Sequence, residues 1–98
     1  MATALSPDEI TQHLSQLDGW EAEGDMLTKT YALPNYMAGL AFATAVGTIA
    51  EAHNHHPDLS IGYKKVTVSF TTHDAGSKIT EKDINAATAI EALGYPKS

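Results

Sequence analysis

The chain of 98 residues reads as an α+β fold: one helix, two strands, a second helix, two more strands and a third helix. Three observations predict it. Capping-box signatures at Ser6 and Thr80 open helices, apolar and polar residues alternate from Lys64 to Thr72, and Gly24-Asp25 separates two short β-prone runs. A chain of this length buries roughly 64% of its unfolded surface, enough for one modest core. A single domain over residues 1–98 is therefore expected, with any deep pocket needing a second subunit.

The first helix starts at Ser6, with Pro7 at the first helical position and Glu9 closing the box, and runs to about Leu17. Asp18-Gly19 ends it. Trp20 to Glu23 reads as a strand, and Met26 to Leu33 as its hairpin partner. The second helix extends from Asn35, its cap, to about Asn54, where Pro57 is expected to stop it. Leu59 to Tyr63 and Lys64 to Thr72 form the second hairpin, with Val66, Val68 and Phe70 on one face and Lys65, Thr67, Ser69 and Thr71 on the other. Thr80 caps the third helix with Asp83 at the box position, and Ile84, Ala87, Ile90 and Leu93 recur at helical spacing up to Gly94 and Pro96. Two hairpins joined edge to edge make a four-stranded antiparallel sheet, with the three helices packed on one face.

Composition removes several function classes. All six basic residues are lysines and the formal charge is −6, so the guanidinium fork that reads guanine and phosphate is missing and a polyanion is repelled. Nucleic acid is not an expected partner. The lack of cysteine excludes disulfides and thiolate chemistry. From Tyr31 to Ala50 no residue is charged, about the length of a bilayer span, yet Pro34 and Asn35 break the run. No membrane span is expected. The segment 36–50 carries Gly39, Gly47 and five alanines and is apolar on more than one face, so it is expected to pack against a second copy in a homodimer or homotetramer, which a charge at Ala43 or Val46 would disturb. Met1 to Asp8 lacks the basic and apolar regions of a signal peptide, and the expected location is cytoplasmic.

Four of the five histidines fall between positions 53 and 73, three of them in the run from Glu51 to Pro57. Histidine titrates near neutrality without help, so such a cluster supplies both an acid and a base. Glu51, four residues before His55, would lie beside it on the helix and orient the ring. Two other readings stay open: the imidazoles cap the helix C-terminus, or His53, His56 and His73 bind a metal. Against a metal, there is no HExxH pattern. Asp83 is explained equally well as a capping carboxylate, and Tyr63 and Trp20 as core aromatics.

Glu51, His55, His56, Pro57, Tyr63, His73 and Asp83, at these spacings, resemble the signature of the pterin-4a-carbinolamine dehydratases. Gly19-Trp20 and the order of elements are also similar to that family, so the likeness covers nearly the whole length. Leu59 departs from it, since animal members often carry tryptophan there. The resemblance implies dehydration of a 4a-hydroxytetrahydropterin to the quinonoid dihydropterin, a step in pterin recycling, with His55, His56 and His73 catalytic, Glu51, Pro57, Tyr63 and Asp83 binding the pterin, and no cofactor or metal. His55 and His73 would be the principal proton-transfer pair. The alternative is a protein-binding module, since relatives also act as dimerisation cofactors of a transcription factor or resemble assembly factors.

Overall fold

The fold is given by a computed structural model that describes residues 3–96. Helix α1 (Pro7–Leu14) is followed by β1 (Glu21–Glu23), β2 (Met26–Ala32), α2 (Tyr36–Ala52), β3 (Asp58–Gly62), β4 (Lys65–Phe70), a 3-10 turn (His73–Ala75) and α3 (Glu81–Glu91). Both capping boxes form: the Ser6 hydroxyl accepts from the Glu9 amide while Glu9 accepts from the Ser6 amide, and Thr80 and Asp83 repeat the arrangement. Such caps are worth about 1 kcal/mol each.

The hairpins β1-β2 and β3-β4 join through β2 and β4, giving the antiparallel order β1-β2-β4-β3. Alternation sorts the strand side chains as expected. Leu27, Tyr31, Val66, Val68 and Phe70 face a core completed by Phe42 and Val46 of α2 and Ile84, Ala87 and Ile90 of α3, with Ile10 and Leu14 of α1 packed against it. The opposite face pairs hydroxyls across β2 and β4, Thr28 with Ser69 at 2.9 Å and Thr30 with Thr67 at 2.8 Å.

Element ends shift by one to three residues from expectation, and a turn is added before α3. Helix α1 stops at Leu14 rather than Leu17, because Ser15 already caps it, although Leu17 still enters the core. Helix α2 ends at Ala52, five residues before Pro57, so the proline is not what stops it. The loop expected before α3 contains a short 3-10 turn beginning at His73. On α2, Phe42, Ala43, Val46 and Ala50 are buried against the sheet, whereas Met37, Ala41, Thr44 and Thr48 face outward. A charge at Ala43 or Val46 would therefore disrupt the core instead of probing an interface.

Candidate active site

The end of α2 determines where the histidines go. Asn54 adopts the left-handed conformation (φ 51°), its amide bonds the Glu51 carbonyl at 3.0 Å, and the His55 amide bonds the Ala50 carbonyl at 3.1 Å. These two bonds make a Schellman motif with asparagine in place of the usual glycine. The reversal carries His55 off the helix and inward. Its ring lies parallel to Phe70, with 9° between planes and 5.6 Å between centroids, and its Nε2 lies 2.6 Å from Oδ1 of Asp83.

Asp83 is fully buried and its carboxylate is saturated. Oδ2 accepts from the Thr72 hydroxyl and from the Thr80 amide, both at 2.8 Å, and the Thr72 and Thr80 hydroxyls bond each other at 2.7 Å. The capping reading of Asp83 is thus correct and incomplete: the oxygen not used by the cap and Thr72 holds His55. Facing inward, this carboxylate exposes no surface of its own and acts on its surroundings through His55.

Glu51 was expected beside His55 and pairs with His56 instead, Oε1 to Nε2 at 2.7 Å. The reason is the Schellman turn, which ends the helical i, i+4 spacing before His55 is reached. This second pair is open to solvent, with the His56 and Glu51 side chains 60% and 78% exposed. Antiparallel pairing of Asp58 with Ser69 brings the segment from His55 to Pro57 and the segment from Thr72 to His73 to the same end of the β3-β4 hairpin. His73 is exposed on its 3-10 turn, with Nδ1 3.4 Å from the Ser77 hydroxyl, and Pro57 is half-buried at the entry to β3.

Tyr63 is separated from this group. It directly follows β3 at the opposite end, roughly 17 Å of extended chain from Asp58, and is 75% exposed, so neither the core reading nor a place beside the histidines of its own chain holds. Trp20 is core, as expected. Thr72 and Phe70 went unrecognised in the sequence. Alternation does place Phe70 inward, but nothing local says that an imidazole will lie on it.

Chemically, the arrangement leaves one ring nitrogen of His55 for work. Asp83 accepts from Nε2–H, which in the neutral ring puts the lone pair on Nδ1. Among the described residues no buried side-chain nitrogen or oxygen lacks a partner, and Nδ1 has none, so it reaches the surface of a side chain that is otherwise only 11% exposed. No imidazole is hydrogen-bonded to a terminal carbonyl of α2 among these residues, which sets aside the capping reading of the cluster. Nor do three histidine, aspartate or glutamate side chains among them converge as metal ligands do.

A second polar centre lies at the other end of α3. Oε2 of Glu91 accepts from the Trp20 indole at 3.0 Å, the Lys29 ammonium at 2.9 Å and the Tyr31 hydroxyl. Burial pushes the Glu91 carboxyl up, but these three donors outweigh it and hold the group below the usual carboxylate range. Tyr31 moves far above the usual phenol range, through burial first, then its hydrogen bond to Glu91 and the Glu91 charge. A cavity of about 500 Å³ adjoins this cluster, lined by Lys29, Tyr31, Glu91 and Tyr95. Its carboxylate is already matched by a lysine, and it lies roughly 12 Å along the helix from Asp83.

The chain matches the family model described as pterin 4 alpha carbinolamine dehydratase over residues 3–93. It is 46% identical over 93 residues to a protein of Roseiflexus sp. (strain RS-1) provisionally named a pterin-4-alpha-carbinolamine dehydratase, covering 95% of this chain and 99% of that one. A protein of Natronomonas pharaonis with the same provisional name is 41% identical, covering 95% and 98%. Among solved structures, a transcriptional coactivator/pterin dehydratase from Brucella melitensis superposes with a TM-score of 0.85 at 27% identity, covering 93% of this chain and 98% of that one. A pterin dehydratase-like protein identified as a RuBisCO assembly factor in the alpha-carboxysome shares the fold, with a TM-score of 0.60 at 23% identity over 78% of this chain and 87% of that one.

Proposed function

The chain belongs to the pterin 4 alpha carbinolamine dehydratase family, and on that premise we propose that it removes water from a 4a-hydroxytetrahydropterin by histidine acid-base catalysis. The observation that carries the proposal is the buried Asp83–His55 pair, which leaves Nδ1 of His55 at the surface.

The substrate carries a hydroxyl and an amine nitrogen on one carbon. As the C–O bond breaks, the nitrogen lone pair forms the C=N bond; the hydroxyl leaves as water after taking a proton, and the nitrogen gives one up. His55, its tautomer held by Asp83, accepts the nitrogen's proton through Nδ1. His73, exposed at the same end of the hairpin, donates to the hydroxyl, and His56, steadied by Glu51, holds the polar edge of the pterin. Pro57 sets the direction of the chain behind them. Positioned acid-base groups supply typically 10²- to 10⁴-fold, sufficient for an elimination that already proceeds unaided.

Tyr63, at the far end of β3, would reach a pterin only on a neighbouring copy. The outward stripe of Met37, Ala41, Thr44 and Thr48 on α2 is the surface through which a homodimer or homotetramer would form, and through which a protein-binding role like that of the coactivator relative would act. The expected location remains cytoplasmic.

The test is the absorbance decay of freshly generated 4a-hydroxytetrahydropterin. The folded protein should accelerate it, and His55→Ala and His73→Ala should each reduce the acceleration about 10²-fold; the exposed His73→Ala should keep the parent melting temperature, whereas His55→Ala, which strips buried Asp83 of a donor, should melt lower and is assayed below its own transition. No acceleration by the folded parent protein defeats the dehydratase reading; unchanged turnover in either variant defeats the assignment of roles.

A further inference from the structure

The bond from Nε2 of His55 to Asp83 restrains one freedom, rotation of the ring, only in part. The Cβ–Cγ bond about which an imidazole turns passes between Cε1 and Nε2, so Nε2 lies closer to that axis than Nδ1 does. The terminal torsion of histidine is broad and roughly two-fold. A hydrogen bond made at Nε2 therefore resists rotation less than one made at Nδ1 would, and Nδ1 moves through the wider arc. What opposes the swing is a flat surface against the ring face, and Phe70 is that surface, parallel to within 9° at 5.6 Å.

Phe70 is itself held. It is fully buried at the end of β4, paired across the sheet with Leu27, and packs against the Trp20 indole, 6.1 Å between centroids at 31°. The indole nitrogen is tied to Glu91, which also binds Lys29. Backbone pairing and one anchored aromatic thus fix the ring on which His55 rests.

We infer that Phe70 is a positioning residue for His55: its ring, braced by Trp20, fixes the rotation of the imidazole so that Nδ1 faces the surface while Nε2 stays on Asp83. The inference rests on the dehydratase reading for its kinetic consequence and on geometry alone for its structural one. Leucine at position 70 keeps apolar bulk and removes the plane; methionine does the same with a flexible chain. Neither restrains the rotation of a ring.

Phe70→Leu should lower kcat for carbinolamine dehydration about five- to tenfold with KM within twofold. In a His55→Ala background the same change should have no further effect on kcat, because a residue that acts through His55 has nothing left to act on. Independently of turnover, long-range ¹⁵N NMR of the His55 ring should show one tautomer, protonated at Nε2, in the parent protein, and exchange broadening or mixed tautomers in Phe70→Leu. Phe70→Met should repeat both results if the leucine variant proves too unstable to measure. A sharp, unaltered His55 tautomer in the folded variant overturns the inference, as does a kcat loss that persists undiminished without His55. If the parent protein shows no dehydration while the tautomer still loosens in the variant, the dehydratase reading fails and the positioning role stands.

Discussion

Two carboxylates on α3, eight residues apart, are each held by three donors and yet are built for different ends. Asp83 is fully buried, and two of its donors, the Thr72 hydroxyl and the Thr80 amide, are neutral. Its third contact is an imidazole whose other nitrogen reaches the surface. Glu91 sits partly exposed, and one of its donors is the ammonium of Lys29, already bonded to the Asp18 carbonyl at 2.8 Å and lying over the Tyr31 ring. A carboxylate whose charge is met by lysine is a clamp between α3 and β2. A carboxylate whose partner is an imidazole with its second nitrogen at the surface is, on the proposed reading, a support for chemistry. The number of hydrogen bonds does not separate the two; the identity of the last partner does.

The largest contrast should come from deleting each carboxylate in turn. Asp83→Ala removes the acceptor of three buried donors, including the cap of α3, and should cost about 3–5 kcal/mol in urea unfolding. Glu91→Gln keeps an acceptor and should cost about 1–2 kcal/mol. Equal losses from the two variants would show that burial of the carboxylate does not distinguish these centres.

The pH dependence sharpens the same comparison. Because Glu91 is held below its unfolded value, its contribution is complete above the ordinary carboxylate range, about pH 4.3, and is lost as pH falls through its folded value. Tyr31 is raised, so its contribution is complete below about pH 10 and is lost as pH climbs beyond that. The stability gap between the parent protein and Glu91→Gln should therefore narrow below about pH 4. Thermal melts showing a gap of constant size from pH 3 to 7 would contradict the clamp.

The smallest effect belongs to Glu51→Gln. Its pair with His56 is exposed, and exposed pairs contribute typically 0.2–1 kcal/mol; a change of less than about 0.5 kcal/mol is expected in the same denaturation assay. A larger loss would mean that this surface pair is held by contacts unlike those of a solvated ion pair.

Much of the fold was legible because its signals are local. Ser6 with Glu9 and Thr80 with Asp83 mark helix starts through bonds between near neighbours, and the alternation of Val66, Val68 and Phe70 declares a buried strand face. Within the candidate site, the expected pairings were misread. Glu51 meets His56 and not His55, because Asn54 takes a left-handed conformation that apolar periodicity does not reveal. Tyr63 falls away from the histidines because a hairpin puts its two ends on opposite sides. Thr72 gave no sign at all. One threonine among several on a strand acquires meaning only when Asp83 arrives beside it.

The amino-acid order alone determined the element sequence, the hairpin faces, the helix caps and the family, since each depends on residues a few positions apart or on a pattern of fixed gaps. Which carboxylate grips which imidazole, which ring nitrogen remains at the surface and which aromatic lies beneath it were decided by the tertiary structure. Those contacts join residues 28 positions apart or 15, across elements whose relative placement follows from the burial of the whole core rather than from any local preference.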